Sequence, residues 1–77
     1  MTTMTEATAH LLNMLRVNSE NTVTREDGSR WGQVYLDNAI PHGWTRHQFA
    51  GHLSDLKKQG LYRPQYDNYF GDVKLED

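Results

Sequence analysis

The chain has 77 residues, 36% of them apolar, with eight Lys and Arg against ten Asp and Glu for a formal net charge of −2. That length holds one domain, which buries only about 60% of the surface its unfolded form exposes, and the slightly negative charge argues against avid nonspecific nucleic-acid binding. The absence of cysteine excludes a disulfide framework, a thiolate zinc site and a Cys nucleophile together. No apolar run approaches the roughly 18 residues of a membrane span. The N-terminus has neither the basic region nor the apolar region of a signal peptide. The expectation is a soluble, cytoplasmic, single-domain protein (residues 1–77) that makes no membrane contact, with residues 1–4 a flexible lead-in and 76–77 a flexible acidic tail.

In chain order, the first expected element is a helix from Thr5 to Val17. Thr5 is a suitable cap, Glu6 suits the first turn, and Ala7, Leu11, Met14 and Leu15 recur at helical spacing with Leu12 beside them. This apolar arc is wider than one core face requires, which leaves room for a homodimer contact. The stretch from Asn18 to Gly28 reads as a polar loop containing the β-branched Thr22-Val23-Thr24. A second helix is expected from Ser29 or Arg30 to Ala39, with Trp31, Val34 and Tyr35 at helical spacing, although Gly32 weakens it by about 1 kcal/mol relative to Ala. A rival reading stays open over residues 22–36, in which Asp27-Gly28 turns a β-hairpin that runs into Trp31.

Pro41-His42-Gly43-Trp44 is a tight break. A third helix follows from Thr45 to Gln59, carrying the clearest signals in the chain. Thr45 and Gln48 have capping-box spacing, Trp44 and Phe49 have staple spacing, and Phe49, Leu53 and Leu56 form the apolar stripe. Lys57 and Lys58 favour the C-terminal dipole, and Gly60 supplies the stop. Beyond it, Leu61-Tyr62-Arg63 and Tyr69 to Leu75 read as two strands of a hairpin turned by Pro64 to Asn68.

This order predicts an α+β fold of three helices followed by a two-stranded β-hairpin. The run Trp44 to Tyr62, with its polar helix start, apolar stripe and Leu56-to-Gly60 approach to a strand, resembles the recognition helix and first wing strand of winged helix-turn-helix domains of the MarR-like class. In style, the short Cys-free chain also resembles small bacteriophage or mobile-element proteins. The resemblance implies a small regulator that binds duplex DNA with the helix 45–59. Arg46, His47, Gln48 and Ser54 would approach the groove, and Lys57, Lys58 and Arg63 would meet phosphates.

Against this stand Asp55 near the same face and an acidic hairpin, whose tip has no Arg or Lys. The alternative is therefore a protein-interaction module that uses its basic helix, or the exposed rings of Tyr66 and Tyr69, to hold a partner. His42, His47 and His52 fall at five-residue intervals that share no helical face, so no metal site is expected. No paired carboxylates, nucleophile elbow or phosphate-binding loop stands out, so neither a cofactor nor an enzymatic activity is expected.

Overall fold

The computed structural model describes residues 4–65 and 69–76. The order is α1 (Glu6–Val17), β1 (Glu20–Thr24), β2 (Arg30–Tyr35), a single 3-10 turn (Leu36–Asn38), α2 (Arg46–Lys58), β3 (Tyr62–Gln65) and β4 (Phe70–Lys74). The four strands form one antiparallel sheet in the order β1-β2-β4-β3. The molecule is thus a helix-and-hairpin unit used twice, with the two inner strands, β2 and β4, meeting at the centre. The expected three helices and two-stranded hairpin are corrected to two helices and a four-stranded sheet.

The correction lies in residues 22–36. The segment expected as a second helix is strand β2, and it pairs with β1 through Val23↔Trp31 and Thr24↔Arg30. Asp27 and Gly28 (φ +89°) make the turn. There the Ser29 backbone N–H and hydroxyl both donate to the Asp27 carboxylate, at 2.9 and 2.6 Å, which holds its pKa below the usual carboxylate value. Trp31, Val34 and Tyr35 mimic helical spacing because β2 is covered on both faces for part of its length. Val34 is fully buried in the core beneath the helices. Trp31, on the opposite face, is only 7% exposed because the Arg25 guanidinium lies over its ring, 4.8 Å from the centroid, and its Nε1–H donates to Ser29 Oγ. Gly32 marks a close approach instead of a weak helix: a Cβ there would lie 2.6 Å from Ser19 Oγ.

The two helices form as their local signals require. The Thr5 side chain caps α1 by accepting from the Thr8 backbone N–H. At α2 both bonds of the capping box are present: the Gln48 N–H donates to Thr45 Oγ1, and the Thr45 N–H donates to Gln48 Oε1. The α2 C-terminus closes with Gly60 (φ +75°), whose N–H reaches the Lys57 carbonyl while that of Leu61 reaches Leu56, a Schellman motif.

Both helices pack on one face of the sheet. Leu11, Leu12 and Leu15 of α1, Phe49, Leu53 and Leu56 of α2, and Val34, Tyr62 and Val73 of the strands make the core. The wide α1 arc is consumed internally, since all three leucines are at most 5% exposed and Met14 is half-buried. Met4 packs against the core at the start of the described chain, and Glu76 near its end pairs with Arg30 at 2.8 Å. Among the described residues no helix is long and apolar enough to cross a membrane.

Candidate interaction surfaces

The residues picked out on the third expected helix point in several directions. Arg46 is exposed, its guanidinium 3.9 Å from the Asp37 carboxylate in a loose pair. His47 is also exposed. Gln48 is held in the capping box, so its side chain is already engaged. Ser54 and Lys57 line a groove beside the 3-10 turn, whereas Lys58 faces a shallow depression shared with Thr5, Thr8 and Asp55. Arg63 lies across the sheet from all of these. It pairs with Asp72 in the ladder while its neighbour Tyr62 faces the core, so alternation sends Arg63 to the face without helices. There it lines a depression with Val23 and Arg25. Tyr66 lies outside the described residues. Among the described residues no group of His, Cys, Asp or Glu is arranged to hold a metal ion. His52 instead pairs its Nδ1 with the hydroxyl of the buried Thr8 at 3.0 Å, beside the Trp44 ring.

The groove is bounded by α2, the 3-10 turn with the chain that follows it, and β3. Its volume is about 380 Å³. Leu36, Ile40, Phe49, Leu53 and Tyr62 supply apolar walls, with Arg46 and Lys57 at the α2 rim and Asp37 opposite Arg46. Tyr62 is 2% exposed, and its hydroxyl has no hydrogen-bond partner among the described residues. Burial, aided by the negative charge of Asp72, pushes its pKa up to about 12. The ring can extend along the sheet because position 71 is glycine: a Cβ there would collide with the Tyr62 hydroxyl.

The second surface is the sheet face turned away from the helices. By register and alternation it displays Val23, Trp31 and Lys74 in one row, Gln33, Asp72 and Arg63 in the next, and Tyr35, Phe70 and Gln65 in a third. Tyr35 meets the Phe70 ring at 5.4 Å and the Tyr69 ring edge-on at 6.0 Å. Tyr69 is 64% exposed and Tyr35 46%. Arg25 crosses the face from Trp31 to Asp72, and Gln65 donates to the same carboxylate.

Tyr69 was expected as an exposed ring. Tyr35, Phe70, Arg25 and Tyr62 were missed as candidate site residues, and only strict alternation through Trp31, Gln33 and Tyr35 pointed to Tyr35. Compared with known proteins, the chain matches no family model, no curated protein and no solved structure.

Proposed function

We propose that this chain is a non-catalytic protein-interaction module whose contact surface is the helix-free face of the sheet around Tyr35, Tyr69 and Phe70. One observation carries the reading. Three aromatic rings cluster on a face that no described element covers, two of them substantially exposed, with the arginines Arg25 and Arg63 on the same face. Tyr, Trp and Arg dominate the energetics of protein interfaces, because a rigid ring desolvates a large area for little rotamer entropy. Opposite charges are interspersed on the face, which suits a mixed protein surface better than a uniformly anionic strand. A reducing cytoplasm suits the cysteine-free composition.

Duplex-DNA binding by α2 is the second reading. It rests on Arg46, His47, Ser54, Lys57 and Lys58, without Gln48, which serves the cap, and without Arg63, which faces the other way. The two readings separate on the purified chain. A protein retained from source-cell extract by the wild type, lost with Tyr35→Ala plus Tyr69→Ala, and at least tenfold weaker toward that double variant in calorimetry with purified components supports the first. Equal retention by both forms sinks it. Binding to random duplex DNA at about 50 mM salt, steeply weakened by added salt and by Arg46→Ala plus Lys58→Ala, would move the function to α2.

A further inference from the structure

We propose a second binding site, the groove beside α2, which takes an extended acidic segment of a protein partner. The segment carries two carboxylates about five residues apart and an apolar anchor between them.

The spacing comes from the helix. Arg46 and Lys57 both line the groove and stand 11 positions apart on α2. At a rise of about 1.5 Å per residue they are separated by roughly 16 Å, and an extended chain advances about 3.3 Å per residue, so five residues bridge them. Between the two cations the α2 wall is built by Phe49, Ala50 and Leu53 with the small polar Ser54 beside Lys57, and Leu36 and Ile40 face it from the other side. Ala50 is exposed and Ile40 half-buried, so the apolar walls are open to an entering side chain.

The Tyr62 hydroxyl is the independent sign of a ligand. Tyr62 lines the groove, is almost completely buried, and leaves a donor without an acceptor among the described residues. A buried polar group in that state is costly to the free protein, and the backbone carbonyl of a bound segment satisfies it. Asp37 is the competitor at one end. Its pair with Arg46 is 3.9 Å long, and the two side chains are 71% and 87% exposed. Such a pair contributes little, so a ligand carboxylate displaces it.

The site shares neither Tyr35 nor Tyr69 with the sheet face, so its success or failure is independent of the function proposed above. The probe is a pair of fluorescein-labelled hexapeptide libraries, one with Asp or Glu at the first and sixth positions and one with Lys at both. The expected result is retention of the acidic library alone by the full chain. It should weaken at least tenfold with Arg46→Ala plus Lys57→Ala, and strengthen with Asp37→Asn. For the best acidic peptide, Tyr62→Phe should lower affinity severalfold while raising the melting temperature of the free protein. Retention of both libraries alike, of neither, or of the acidic library undiminished by the Arg46 and Lys57 substitutions overturns the proposal. Tyr35→Ala plus Tyr69→Ala must leave peptide binding unchanged.

Discussion

Replacing Tyr62 by Phe should make the free protein more stable, against the usual direction of a core substitution. The ring is retained, so its packing beside Val73 and over Gly71 persists. What disappears is a hydroxyl that is buried and unpartnered among the described residues. Leaving such a donor unmet costs about 1–3 kcal/mol. Taking the lower end, a gain of about 1 kcal/mol raises the melting temperature of a domain this size by roughly 4–8 °C. The pH dependence tests the same reasoning separately. The phenol ionises at about 12 in the fold against an ordinary value of 10.0. Below pH 10 both states keep the proton and the stability is fully present. Between pH 10 and 12 only the unfolded chain releases it, so stability falls as pH rises, by up to about 3 kcal/mol over the two pH units. Denaturant titrations of wild type and Tyr62→Phe at pH 8, 10 and 11 read both effects. A less stable variant at pH 8, or an alkaline decline that persists unchanged in the Phe variant, would refute the orphaned hydroxyl.

Three other substitutions follow from the same geometry. Gly71→Ala drives a Cβ into the Tyr62 hydroxyl and within 2.6 Å of the Arg63 carbonyl; overpacking of this kind should cost about 1–3 kcal/mol, read as a lowered thermal midpoint. Thr45→Ala removes the α2 cap acceptor and should lose about 1 kcal/mol in chemical denaturation, with Thr45→Ser recovering most of it. Arg25→Ala uncovers the Trp31 ring and breaks the Asp72 pair. Its signature should be red-shifted tryptophan emission with a stability loss of about 1 kcal/mol; emission unchanged from wild type would mean that Arg25 does not shield the ring.

Much of the local structure is legible in the sequence. The α1 cap at Thr5, the capping box of Thr45 and Gln48, and the Gly60 stop involve residues within about four positions of each other, so sequence alone displays them. The second helix failed for a physical reason. Trp31 and Val34 are both buried, on opposite faces, and the agent that buries Trp31 is the long side chain of Arg25 in the connecting turn. A charged residue acting as a lid on a tryptophan blurs the one-sided alternation of a strand, and buried residues on both faces then imitate a helical period. Gly32 did count against the helix, but its reason lay elsewhere in the chain: its lack of a side chain accommodates Ser19 from outside the strand. The surfaces were harder still, because Arg63 is separated from Lys57 by the sheet itself, whereas linear spacing had grouped them.

The doubled helix-and-hairpin plan also sets how the chain must assemble. Each hairpin closes locally, Thr24 meeting Arg30 and Gln65 meeting Phe70, but the central pair Tyr35↔Phe70 joins positions 35 residues apart. Relative to a five-residue closure that longer loop costs about 1.7 kcal/mol more in chain entropy. Neither half carries a complete core, since Leu11, Leu12 and Leu15 from the first unit pack with Phe49, Leu56 and Val73 from the second. Folding should therefore be a single cooperative event gated by the encounter of β2 with β4. A nick between Asn38 and Thr45 would leave two fragments, each unstructured by itself, that recover the sheet only on mixing.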